Sequence, residues 1–147
     1  MNFVMTPIGI IHSPFNDKAQ TPIQPNRSPA RGQVEVFPQY APGLQDLEGF
    51  SHIYLLYAFH RSDGFTLHVQ PFLDDDLHGL FATRHPCRPN PIGLSVVRLL
   101  ALWDNILDIE GVDVLDGTPL LDIKPYVPDF DVRFDARAGW YENRSKE

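Results

Sequence analysis

Apolar residues recur along this chain mostly at every second position and in short runs. That is the period at which successive side chains of an extended strand face opposite ways. Residues 33–37 (Gln-Val-Glu-Val-Phe) alternate strictly, and residues 65–70 and 106–114 do so again. Residues 3–12 read as a first strand with Ile8, Ile10 and Ile11 as its apolar positions. Residues 51–60 are aliphatic and aromatic almost throughout and predict a buried strand, and 120–126 predicts the last one. Residues 94–102 are a strand candidate whose pattern also fits a short helix; as a strand they pair with 106–114 through a turn at Asp104 and Asn105. Helical windows are few. Residues 42–49 predict a short helical turn ended by Gly49, residues 13–32 a loop, and the polar tail 135–147 a short helix or a frayed end. Many short strands divided by turn signals predict a mainly all-β fold, a barrel or a sandwich.

A length of 147 residues predicts one domain, large enough to enclose a core. No apolar run reaches 18 residues, so no membrane span is expected, and residues 1–7 lack the charged and apolar regions of a signal peptide. The single cysteine excludes an internal disulfide and fits a reducing compartment, so a cytoplasmic location is expected. The net charge of −7 runs against a broad nucleic-acid footprint. Local clustering of Arg27, Arg31, Arg84 and Arg88 could still make a basic patch.

Two polar stretches concentrate the chemistry. Residues 79–93 place Arg84, His85, Arg88 and Asn90 among Pro86, Pro89 and Pro91. Each proline fixes φ and removes a backbone donor, so the guanidiniums sit on a stiff loop suited to carboxylates, phosphates or ring faces. The alternative is a structural turn whose arginines pair with nearby acids. Residues 111–128 gather Asp113, Asp116, Thr118, Asp122, Lys124 and Tyr126 around a turn and the following strand. Asp122, Lys124 and Tyr126 share one strand face. They are either a catalytic acid–base row or a structural ion pair capped by tyrosine. Asp116-Gly117 alone reads as a plain hairpin turn. Gly-x-Gly-x-x-Gly and Walker sequences are absent. The six histidines lack metal-ligand spacing, Asp74-Asp-Asp76 reads as a solvated loop, and no metal is expected. Cys87 has no Cys-His-acid order around it and is not expected to act as a nucleophile.

Ile8-Gly-Ile-Ile-His-Ser-Pro-Phe15, Gly43-Leu-Gln-Asp-Leu-Glu-Gly-Phe-Ser-His52, the loop Phe81-Ala-Thr-Arg…Arg-Pro-Asn-Pro-Ile-Gly93 and Asp116-Gly-Thr-Pro-Leu-Leu-Asp-Ile-Lys-Pro-Tyr126 together resemble the TsaA-like family. Its characterised members are S-adenosylmethionine-dependent tRNA N6-adenosine methyltransferases. The resemblance implies one small antiparallel β-barrel domain over 1–147, with a core of about 3–128 and a tail of 129–147. It implies S-adenosyl-L-methionine as cofactor, held by Pro22, Ile23, Gln24, His60, Arg61, Arg84, Leu94, Asp116, Gly117, Thr118 and Pro119. Ile23 stands where the family has arginine. Arg88 and Asn90 are expected to hold the substrate, and Asp122, Lys124 and Tyr126 to serve catalysis. The implied substrate is the threonylcarbamoyl-modified adenosine 3′ of the anticodon in tRNA, and the implied assembly a homodimer. Methylation of another substrate and a non-catalytic S-adenosylmethionine-binding module are the alternatives.

Overall fold

The computed structural model describes residues 1–17 and 29–143. Six strands close an antiparallel barrel: β1 (Gly9–His12), β2 (Arg31–Val36), β3 (His52–Ala58), β6 (Ile92–Trp103), β7 (Ile106–Glu110) and β8 (Thr118–Pro125). Their order around the barrel is β1-β2-β7-β6-β3-β8, so closure leaves no open edge. Two residues each of β4 (His68–Val69) and β5 (His78–Gly79) form a separate ribbon. Short 3-10 turns at Pro38–Leu44, Leu47–Gly49, Leu80–Ala82 and Gly139–Asn143 and one α-turn, α1 (Pro128–Asp131), complete the elements among the described residues. The mainly β fold is as the alternation predicts, and the small antiparallel barrel is as the resemblance implies.

The alternation works as expected. In β3, Ile53, Leu55 and Tyr57 point inward and are buried, while His52, Tyr54, Leu56 and Ala58 face out and are half-buried. The predicted buried strand is therefore fully buried on one face and half-buried on the other. β6 pairs β7 around Asp104 and Asn105, with Trp103 opposite Ile106 and Asp104 at φ 53°. The inward residues of all six strands meet in one core, which includes Ile11, Val34, Val97, Leu107, Ile109 and Leu120.

Three further elements differ from expectation. β1 begins only at Gly9, with pairing announced by the Ile8 amide donating to the Leu120 carbonyl at 2.8 Å. Pro7 has no donor to offer, and Phe3, Val4 and Met5 remain exposed. Of residues 65–70 only His68 and Val69 enter a strand, because their partner β5 is two residues long. Residues 116–117 are not a hairpin turn: β7 and β8 are not neighbours in the barrel, and the turn between them joins strands paired to other partners.

The chain forms two compact units. One, Met1–His60 with Ile92–Tyr126, is the barrel; the other is Arg61–Pro91 with Val127–Glu147.

Candidate functional site

The outer face of β6, β3 and β8 collects several of the predicted residues. Register places Leu94, Leu56 and Asp122 in one cross-strand row and Val96, Tyr54 and Lys124 in the next. With adjacent strands about 4.8 Å apart, Leu94 and Asp122 lie roughly 10 Å from one another. Tyr126 continues the row: its amide donates to the His52 carbonyl at 3.1 Å, and its ring lies 5.6 Å from that of Tyr54 and 6.3 Å from that of His52. The predicted catalytic trio and Leu94 thus share one surface.

That surface depends on a bulge. Tyr57 pairs with Leu120 but Leu56 with Asp122, so one extra residue lies in β8 at Leu121. Strand parity alone would send Asp122 and Lys124 inward with Leu120. The inserted residue reverses it, putting Ile123 against the core and the two charges outside. Lys124 Nζ lies 3.1 Å from Asp122 Oδ2, with side chains 63% and 47% exposed. Asp122 Oδ1 also accepts the Ile123 amide at 2.9 Å.

At the head of β8 the turn of residues 111–118 is held from both sides. The Asp116 amide donates to the Phe15 carbonyl and the Gly117 amide to the Ile11 carbonyl, at 2.7 and 2.9 Å. Asp116 Oδ1 accepts the Ser13 amide at 3.0 Å, and Ser13 Oγ donates to the Val114 carbonyl at 2.6 Å. His12 sits between two carboxylates, Nε2 at 3.0 Å from Glu35 and Nδ1 at 3.7 Å from Asp116. Thr118, assigned to the cofactor by resemblance, is buried and donates to the Leu115 carbonyl at 2.6 Å, closing the turn. Pro119 stands opposite Ile10 in the β1–β8 ladder. The apex Asp116-Gly117 is exposed. Gly117 has φ 83°, and a Cβ there would meet nothing within 4 Å. A firmly held turn with an open apex and a half-exposed carboxylate suits a ligand with hydroxyl and ammonium donors, so the adenosyl cofactor fits these residues.

Sequence reading missed the polar chain inside the barrel. Tyr57 Oη lies 2.7 Å from Ser95 Oγ, which donates to Asp113 Oδ1 at 2.8 Å. The carboxylate takes the serine proton, so the tyrosine hydroxyl donates to the serine. The legible signal was Gly93-Leu-Ser95, two small residues on the inward face of a strand. A Cβ at Gly93 would fall 2.2 Å from Tyr57 Cε2 and 2.8 Å from Phe59 Cζ. Gly93 is therefore where the tyrosine ring crosses the strand.

In the second unit, Arg88 Nη1 donates to the carbonyls of Thr83 and His85 at 2.9 and 3.0 Å and approaches that of Leu80 at 3.4 Å. The guanidinium also lies 5.8 Å from the centre of the Phe81 ring. This residue clamps its own loop. Arg61, Arg84 and Asn90 are exposed, as is His60 at the end of β3 in the barrel unit. Cys87 is partly buried. Asp74 is not part of a solvated triplet: its side chain is 5% exposed, accepts the Asp75 amide at 2.8 Å and meets His78 Nε2 at 2.6 Å. The His78 ring stacks on Trp140 at 4.7 Å, and Trp140 Nε1 donates to the Ala82 carbonyl at 2.8 Å. Asp75 and Asp76 are exposed as expected. Pro22, Ile23, Gln24 and Arg27 lie outside the described residues, and Arg31 is 3.7 Å from Glu110. Among the described residues no cluster of three His, Cys, Asp or Glu could hold a metal ion, and no helix is long and apolar enough to cross a membrane.

A closed six-stranded antiparallel barrel, with a pinned, open-apexed turn leading into its last strand and a charged, aromatic row further along it, defines a small β-barrel class. The sequence profile of the tRNA-methyltransferase O N-terminal domain matches residues 10–132, and the chain belongs to that family. It is 58% identical over 137 residues to a probable S-adenosyl-L-methionine-binding protein of Pyrococcus abyssi, covering 92% of this chain and 74% of that protein. It is 38% identical to the tRNA (adenine(37)-N6)-methyltransferase of Mus musculus, covering 88% of this chain but only 32% of the mouse protein. The crystal structure of TrmO from Pseudomonas aeruginosa superposes with a TM-score of 0.81 at 44% identity, over 95% of this chain and 62% of that one.

Proposed function

We propose that this protein binds S-adenosyl-L-methionine and methylates the exocyclic N6 of an adenosine in tRNA, the threonylcarbamoyl-modified adenosine beside the anticodon. The observation that carries the reading is the outward row Asp122–Lys124–Tyr126, exposed by the β8 bulge on the strand that begins at the Asp116-Gly117 turn. The family match and the naming of the mouse relative support the substrate class. S-adenosylmethionine held at the Asp116-Gly117 turn would supply a sulfonium methyl group, with the neutral thioether as the leaving group. The amine lone pair is delocalised into the ring, so the protein's main contribution is to orient that nitrogen. Tyr54 and Tyr126 offer ring faces on which a base stacks. Asp122 offers carboxylate oxygens to the proton that leaves N6, and Lys124 holds that carboxylate in place. Exposed Arg84 is assigned to the cofactor's carboxylate and Asn90 to the substrate. Arg88 supports both by shaping the loop that carries them. A homodimer in the cytoplasm completes the proposal.

The test is single-turnover methylation of tRNA by Asp122→Asn and Lys124→Met. Both are expected to bind S-adenosylhomocysteine as the wild type does while the rate falls by about 10²–10⁴, the usual worth of a positioned acid or base. Unchanged rates would remove the row from the reaction. A second reading, a binding module without turnover, is favoured by the Pyrococcus abyssi relative, which is named for binding alone. Absence of modified nucleoside and of S-adenosylhomocysteine with total tRNA would select it.

A further inference from the structure

The assigned ladder between β6 and β7 stops at the pair Arg98–Glu110. Beyond it, Gly111 adopts φ 98°, and its amide and that of Val112 both turn to the Ala30 carbonyl on the far side, at 2.8 and 3.3 Å. The chain leaves β6 at that point, and the β6–β7 ladder no longer holds that side of the turn that follows. Side chains take over. In the register that Arg98 and Glu110 set, Ser95 and Asp113 stand opposite one another, and Ser95 Oγ bonds Asp113 Oδ1 at 2.8 Å. Ser95 is 2% exposed and Tyr57, which donates to it, 3%. Gly93 is the position that lets the Tyr57 ring reach across.

We propose that Ser95 is a positioning residue for the ligand turn. Bonded to Tyr57 in the barrel wall, it anchors Asp113, and so fixes where the apex Asp116-Gly117 is presented to the adenosyl ligand. The other side of the turn is pinned to β1 through Ser13, Phe15 and Ile11. With the Ser95 bond in place the turn has one position; without it, the stretch between the Ala30 contact and the β1 anchor gains room to shift. The ligand part of this proposal rests on the cofactor assignment above, whereas the anchoring part does not.

The experiment compares wild type, Ser95→Ala, Ser95→Thr and Tyr57→Phe in two measurements. Amide hydrogen exchange reads the anchor without any ligand. Exchange at Asp116 and Gly117 is expected to quicken about tenfold in Ser95→Ala. It should quicken less in Tyr57→Phe, which keeps the Ser95–Asp113 bond, and return towards wild type in Ser95→Thr, which restores the hydroxyl. Leu107, in the β2–β7 ladder, should be unchanged throughout. Calorimetry with S-adenosylhomocysteine reads the consequence. Affinity should drop about tenfold in Ser95→Ala and recover in Ser95→Thr, and in turnover KM for the cofactor should rise with kcat nearly constant. Exchange at Asp116 and Gly117 that is the same in all four proteins overturns the proposal. So does faster exchange in Ser95→Ala without loss of an affinity that the wild type shows. No binding by wild type overturns the cofactor assignment instead, and the exchange data then decide the anchor alone. Should Ser95→Ala not fold, the contrast between Tyr57→Phe and Ser95→Thr carries the same decision.

Discussion

The barrel and the second unit solve the same problem with different means. In the barrel, six strands exchange main-chain hydrogen bonds around a closed ring, and thirteen buried apolar residues form one cluster. In the second unit only Val69 and Leu80 are buried apolar residues among those described, and its strands are two residues long. There the backbone is held by side chains reaching for it: Arg88 to Thr83 and His85, Trp140 to Ala82, and Asp74 to its neighbour's amide and to His78. The barrel's stability is therefore spread over many contacts but intolerant of added atoms at close approaches. The second unit depends on a few polar groups. Its exposed Phe65, Phe72, Phe81 and Phe134 show how little of its apolar surface it encloses.

The largest break in this contrast is expected at Gly9. A Cβ there would lie 2.2 Å from the Glu35 carbonyl oxygen, a backbone atom of the partner strand that cannot rotate away. Gly9→Ala should cost about 3 kcal/mol and lower Tm by roughly 6–12 °C, read by circular dichroism. Arg88→Ala should act locally. Losing charge-assisted bonds costs about 1.5–3 kcal/mol. Thermolysin cleavage within residues 61–91 should accelerate at least tenfold, while the barrel's melt moves by less than about 2 °C. If cleavage stays slow and only turnover falls, Arg88 is a substrate contact rather than a clamp.

Lys124→Met should barely touch stability, by about 0.5 kcal/mol or less, because an ion pair this exposed is screened by water. A thermal melt run beside the single-turnover assay separates that from a functional loss. The smallest effect is expected at the end of the second unit. The Arg137 guanidinium, and then the Ala138 amide, hold the Glu142 carboxyl below the usual carboxylate range. A depressed acid stabilises above its unfolded pKa and loses that contribution as pH falls through its lowered folded value. On acidification the Ala138 amide resonance should shift below the ordinary glutamate range, and Glu142→Gln should abolish the shift.

Much of this molecule was readable from local pattern. Alternation located the strands because one face of each is packed on the core, and the turn at Asp104 and Asn105 follows from the break between two alternating runs. The side chains with chemistry to offer were also visible, since Arg88, Asp116, Asp122, Lys124 and Tyr126 are conspicuous by type alone. Their roles were less so. Arg88 looked like a ligand for an anion, but three carbonyls of its own loop reach it first. Asp74 looked solvated, but it is buried and bonded to His78, four residues on, whose ring in turn stacks on Trp140.

What the sequence determined by itself was periodicity and chemistry, both of which are local. What only the tertiary structure decided was parity and partnership. One extra residue at Leu121 exchanges the inner and outer faces of β8, and it is detectable only when the strand is laid against β3. The bond between Ser95 and Asp113 joins residues eighteen apart through a barrel that must close before they meet. Strand side chains alternate with period two, so a single insertion carries a charge from core to solvent. No local pattern records where the opposing strand will place it.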